Sequence, residues 1–301
     1  MIDILLRAGS FVGLIFLGYF LRLLGIFKKE DVAVIARVVL KITLPAAIIV
    51  SLSGYTIAPS MLTIALVSLA GGGISVLTAA LLYRKKGKER RAFAITNVAG
   101  YNVGCFTMPF AQCFLGPVGV ATTNLFDAGN SFFCLGGGYS IAVSIKDGDK
   151  FSFTRIFKTV LRSVPFVVYL IMIALNFLHL RLPAPVLSFV KLAADANPLM
   201  AMLMIGVGID LHIRKEHAAD VVKILLLRYG VATILSAIAY FLLPFGTEIR
   251  KALVILLFSP IGSTAVAYTE ELKSDVALSS TLNSISILCS IVIMVCFLSF
   301  V

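Results

Sequence analysis

Charge is what this sequence has least of. Only 14% of its 301 residues are charged, against about a quarter in a soluble domain whose whole surface must be wetted. Catalytic signatures are missing as well. HExxH, GxSxG and paired aspartates do not occur in the apolar stretches, so an intramembrane enzyme would lack its constellation. No CxxC pair exists, and Cys105, Cys113, Cys134, Cys289 and Cys296 all fall in apolar stretches. They read as small buried hydrophobes. His179, His212 and His217 do not cluster as metal ligands, and no cofactor or metal is expected. The glycine triplets 71–73 and 136–138 lack the strand and lysine of a phosphate loop; close helix packing accounts for them better. Met1, Ile2 and Asp3 make no basic n-region, so no cleavable signal is expected. No hydrophilic stretch is long enough for a soluble domain, which leaves no room for a nucleotide-hydrolysing module.

What is abundant is apolar surface. Hydrophobic residues are 59% of the chain and mean hydropathy is +1.02. A membrane-spanning helix needs about 20 apolar residues. Ten stretches qualify: 4–24, 34–53, 60–83, 92–114, 118–145, 160–178, 193–210, 222–243, 249–268 and 276–300. The expectation is an all-α, multi-pass membrane protein of ten helices. The net charge of +11 calls for no nucleic-acid partner, because its placement follows the membrane. With the N-terminus outside, 21 of the 26 basic residues fall in inside segments, Arg228 counted among them. The run RKKGKERR at 84–91 is the strongest orienting signal. Both termini are expected outside the cell (inner) membrane.

Ten spans with both ends on one side divide into two five-helix halves, 1–150 and 151–301, of opposite orientation: an inverted repeat. Prolines mark it. Pro45 and Pro198 are 153 residues apart, and Pro109 and Pro260 are 151 apart. A proline inside a membrane helix removes a donor and clashes with the preceding turn. The freed backbone is tolerated only beside protein or a wet cavity. Broken helices in matching spans therefore point to a midplane site. Around Pro109 and Pro260 the candidate substrate-binding residues are Asn102, Gly104, Thr107, Ser259, Gly262 and Ser263.

Asp127 is the most informative residue. A carboxylate at the centre of a membrane helix costs roughly 2.5–3.5 kcal/mol on insertion scales, so it should face the bundle or a wet cavity. Asn124, Asn130 and Ser131 share its helix face by spacing. Asp127, Asn130, Asn124 and Asn283 form the candidate ion- or proton-coupling set; a structural tie between helices is the alternative for Asp127. No buried arginine or lysine is evident at the crossing, so an anion would be held mainly by amides, asparagines and hydroxyls.

Several segments resemble the auxin efflux carrier family, which includes plant PIN-type carriers and bacterial malonate and malate permeases. They are GYFLRLLGIFKKEDVAVIARVVLKITLPAAII at 18–49, NVGCFTMPFAQCFLGPVGV at 102–120, FDAGNSFF at 126–133, NPLMAMLMIGVGIDL at 197–211 and SPIGSTAVAYTEELKSDVALSSTLNSISI at 259–287. The lack of a long central hydrophilic loop resembles the compact bacterial branch. The resemblance implies a fold like sodium/proton antiporters, with spans 4 and 9 broken and crossing at their prolines. It implies a scaffold of spans 1, 2, 6 and 7 that also forms a homodimer. Spans 3–5 and 8–10 would be a mobile transport unit moving in an elevator-like way. Relatives often carry a proline partway along span 10, where this chain reads ISILCSIV, which puts a bend there in doubt. The expected function is secondary transport of a small organic anion, a carboxylate or auxin-like acid, with proton coupling through Asp127. A channel or membrane sensor of the same fold is the alternative.

Overall fold

The computed structural model describes residues 2–148, 151–210 and 217–300. The expected seam at 150/151 and the inside-loop reading of His212, Arg214 and Lys215 lie outside the described residues. Among those described there are helices and no strands, only one isolated bridge. The helices are α1 (Ile2–Leu23), α2 (Lys29–Ser53), α3 (Pro59–Leu82), α4 (Lys88–Val98), α5 (Val103–Phe114), α6 (Pro117–Phe132), α7 (Gly138–Asp147), α8 (Phe153–Leu161), α9 (Val164–Phe177), α10 (Ala184–Gly208), α11 (Ala218–Phe241), α12 (Thr247–Leu257), α13 (Thr264–Glu271) and α14 (Val276–Phe300). Six of them (α1, α2, α3, α10, α11 and α14) are long and apolar enough to cross a membrane. A seventh span appears if the bent pair α8 and α9 is counted.

Three expected spans are not single helices. The stretch 92–114 is α4 and α5, interrupted at 99–102, and 249–268 is α12 and α13, interrupted at 258–263. The stretch 118–145 is α6 and α7, joined by a π-turn at Phe133–Gly137 in which Gly136 takes φ 145°, a conformation that favours glycine. The span expected at 160–178 is also corrected. Its start belongs to α8, which meets α9 at 79°. Ser163 is extended at the N-cap and Pro165 opens α9, since proline suits a first turn and cannot continue a preceding one. α8 is amphipathic: Ile156 and Val160 are buried, while Phe153, Phe157 and Leu161 are exposed beside Arg155 and Lys158. α14 runs unbroken from Val276 to Phe300, as its lack of an internal proline allows.

The prolines act differently from expectation. The break near Pro109 is not at Pro109. It lies upstream at 99–102, and Pro109 sits in the first turn of a regular segment after a π-turn at Val103–Thr107. Pro45 repeats the device, following a π-turn at Val39–Thr43. One extra residue in the preceding turn absorbs the missing donor and the ring clash without opening the helix. Pro260 alone of these lies inside an extended break.

Packing forms two groups. α1 lies along the second half of α10, and both α9 and α10 pack on α2. Gly18 and Gly206 permit the first contact: a Cβ on Gly206 would strike the Ile15 carbonyl, and one on Gly18 would come within 2.5 Å of the Leu203 carbonyl oxygen. In the other group α3 packs on α6, α4 on α7, α12 on α6 and α11, and α13 on α14. Gly129 brings α6 against the Ala65 backbone of α3. Of the glycine triplets, Gly71 lies under Tyr101, Gly72 under Phe133 and Gly138 against Ala99, the close packing expected of them, while Gly136 serves the turn. Between the groups, Phe11 of α1 meets Phe110 of α5 edge-on at 5.4 Å.

Candidate functional site

The two breaks cross. Tyr101 and Ile261 face each other as an antiparallel bridge. The Asn102 N–H donates to the Pro260 carbonyl at 2.9 Å, and the Gly262 N–H to the Gly100 carbonyl at 3.1 Å. The outward backbone groups of the two bridge residues would be costly to leave unpaired at membrane depth. Asparagines take them. Asn130 Oδ1 accepts from the Tyr101 N–H at 2.9 Å, and its Nδ2 donates to the Tyr101 carbonyl at 2.8 Å. On the other strand Asn283 Nδ2 donates to the Ile261 carbonyl at 3.3 Å, and Ser286 Oγ accepts from the Ile261 N–H at 3.0 Å. The two asparagines thus clamp the two breaks in related ways. Thr107 and Ser259, both fully buried, bond each other at 2.6 Å across the crossing.

A cation that sequence reasoning missed sits at this crossing. Arg228 of α11 is 3% exposed. Its guanidinium donates to the carbonyls of Ser259 at 2.8 Å, Pro260 at 2.7 Å and Val98 at 3.2 Å, and it lies 5.0 Å from the Tyr101 ring centroid. Both α4 and α12 end here, and helix C-termini carry unsatisfied carbonyls and partial negative charge. One guanidinium answers both ends. The expectation that Arg228 belongs to an inside loop, and that no arginine is buried at the crossing, is corrected. It is well inside α11, whose helix starts at Ala218.

Beside the crossing lies a cavity of about 320 Å³. Asn102, Gly104, Asp127 and Ser263 line it, together with Ser131 and Thr264. Its far wall is Leu40, Lys41 and Leu44 of α2 and the α8–α9 corner, including Arg162. Thr107, Ser259, Pro260 and Gly262 are not in this lining but in the crossing itself, and Pro109 lies beyond it in the regular part of α5. Gly104 brings the backbone close to both: a Cβ there would come 2.8 Å from the end of the Leu44 side chain, which would have to turn, and 3.4 Å from Asp127 Oδ2. A second cavity, about 240 Å³, flanks the crossing on the α10 and α14 side and shares Asn102 and Ser263. Asn283 lines this one. Among the described residues no three His, Cys, Asp or Glu side chains converge as a metal site.

Asp127 is buried and doubly bonded. Oδ1 accepts from Asn130 Nδ2 at 3.0 Å, and Oδ2 accepts from the Tyr169 hydroxyl at 2.8 Å. Asn124 is separate from it, donating to Ser51 Oγ at 2.8 Å. Tyr169 gave no signal in the sequence, where it is one aromatic in an apolar helix.

Residues 11–149 match a family described as Membrane transport protein. The resemblance read from the sequence is borne out at this level, and the match includes α4, α5, the first break and Asp127. An "Uncharacterized transporter" of Methanothermobacter thermautotrophicus is 24% identical over 294 residues, covering 94% of this chain and 93% of that protein. The family and this relative both support transport as the chain's function.

Proposed function

We propose that the chain is a secondary carrier for a small organic anion, and that the cavity beside the crossing is its binding site. The observation that carries this reading is the combination at one place of a clamped helix crossing and a cavity with net positive lining. Lys41 and Arg162 outnumber Asp127 there. The N-terminal ends of α5 and α13 open into it through Gly104, Ser263 and Thr264, and helix N-termini favour carboxylates. Leu40, Leu44, Val103, Leu135, Val164 and Pro165 supply apolar wall between these groups, which suits a carboxylate with a small hydrocarbon body. A cavity of this size sits at the lower end of small-molecule sites.

In this reading the ten spans are the six long helices, α9, and the pairs α4–α5, α6–α7 and α12–α13. They form two inverted halves. The group α1, α2, α9 and α10 is the scaffold and dimer-forming part, and the remaining helices are the transport unit. Both cavities lie between the two groups, so sliding one group past the other would carry the crossing from one membrane face to the other. Asp127 carries the coupling proton.

Topology is the first check. Cysteines introduced near Met1 and after Val301 in a cysteine-free background should both react with an impermeant thiol reagent applied outside. A cysteine at Gly87 should stay protected. Opposite labelling of the two ends would remove the inverted-repeat arrangement. The function itself is tested by screening purified protein in proteoliposomes against labelled carboxylates and indole acids, with and without pH and sodium gradients. No uptake of any member under any gradient would end the organic-anion reading.

A further inference from the structure

Among the described residues, three side chain–side chain hydrogen bonds reach from one packing group to the other, beside side chain–backbone ones such as Arg7 to the Cys113 carbonyl. Asn124 donates to Ser51, Asn197 donates to Gln112, and Tyr169 donates to Asp127. Asp127 is the one ionisable acceptor of these three. Its two oxygens face different ways. Oδ2 holds the hydroxyl of Tyr169 on α9, while Oδ1 holds Asn130, whose amide clamps the Tyr101 backbone of the first break. A single carboxylate therefore ties the crossing to the opposite side of the seam, and it also lines the cavity.

We propose that Tyr169 is a positioning latch: its hydroxyl, donating to Asp127 across the seam, holds the two helix groups in register until the carboxylate is neutralised. This rests on the carrier reading above. The physical argument has two steps. Hydrogen bonds to an ionised carboxylate are shorter and roughly twice as strong as neutral ones. Tyr169 is fully buried, so sliding α6 past α9 strands its hydroxyl without an acceptor, which is penalised. Neutralising Asp127 with a proton weakens the tie and lowers that penalty. The titratable groups facing Asp127 are the Tyr169 phenol from α9, the Cys105 thiol from α5 and the Cys134 thiol beyond the end of α6. Lys41 of α2 and Arg162 of the α8–α9 corner line the same cavity.

The latch is read out by cross-linking, without a substrate. Ser51→Cys and Asn124→Cys in a cysteine-free background place a thiol pair across the seam, oxidised with copper phenanthroline. With Tyr169 present, cross-linking at alkaline pH should run about tenfold faster than with Tyr169→Phe, the factor a charged hydrogen bond supports. The ratio of the two rates should fall toward one as the pH is lowered. Adding Tyr169→Phe to Asp127→Asn should change the rate far less than adding it to the parent. Equal rates and equal pH dependence with and without the hydroxyl would overturn the latch. If Tyr169→Phe does not fold, Asp127→Asn alone decides: a wild-type pH dependence in that variant overturns the proposal. Labelled acetate, lactate, malonate and succinate exchanged by the unmodified protein form a parallel arm. Absent exchange there sinks the carrier reading and leaves the cross-linking result to judge the latch.

Discussion

Replacing Arg228 with alanine is expected to destabilise the protein by about 2–4 kcal/mol, the cost of leaving buried carbonyls without a donor at about 1–3 kcal/mol each, less the relief of no longer burying a cation. The Val98 and Ser259 carbonyls would lose the guanidinium donor, and the Pro260 carbonyl would keep only the Asn102 N–H. They lie where two helices end and their negative ends meet, so a lost donor is costly at membrane depth. Tyr101 would also lose the cation above its ring. The measurement is thermal unfolding of purified protein in detergent, with folded yield beside it. Arg228→Lys separates charge from geometry. Lysine keeps the cation but is a point charge without the planar fork, so it should recover part of the stability and less of the transport. An alanine variant as stable as the parent would mean that the crossing holds itself and that Arg228 is a bystander.

The second large effect is expected at Asp127. Asp127→Asn should abolish uptake driven by a pH gradient while leaving substrate exchange at least partly intact. The amide keeps the size of the carboxyl: its oxygen can accept from Asn130, and its N–H can donate to the Tyr169 hydroxyl, which turns to accept. Two charge-assisted bonds become neutral ones, which costs about 1 kcal/mol each, and the folded protein should survive it. Asp127→Leu removes both bonds and should cost more. If Asp127 is only a tie between helices, the asparagine variant will support gradient-driven uptake like the parent, and the coupling role falls.

The asymmetry between these two residues shows what the sequence could carry. Asp127 was legible because a carboxylate in the middle of an apolar run is anomalous by itself. Asn102, Asn130 and Asn283 were legible for the same reason, although their task at the breaks was not. Spacing placed Asn130 beside Asp127; it did not reveal that the amide clamps a backbone 29 residues away. Arg228 was misplaced because it lies near the edge of an apolar window, where a basic residue looks like a loop residue. Its burial is produced by carbonyls 31, 32 and 130 residues distant. Pro109 and Pro260 marked the right neighbourhood, but a proline can be absorbed by a π-turn, as at Pro45 and Pro109, or opened into an extended break, as at Pro260. Nothing local to the chain decides between them. α8 was lost inside a hydropathy window although FTRIFKTVL alternates its faces at helical spacing.

The central claim is that the cavity beside the crossing binds a small organic anion and that the protein moves it. Counterflow in proteoliposomes tests this most directly: vesicles are loaded with an unlabelled carboxylate, and entry of the labelled one is followed with no ion gradient. A carrier should show saturable entry, accelerated several-fold by the internal carboxylate, and Lys41→Ala together with Arg162→Ala should weaken it. Entry that neither saturates nor responds to the internal carboxylate, with discrete conductance steps in planar bilayers, would contradict the account and describe a channel.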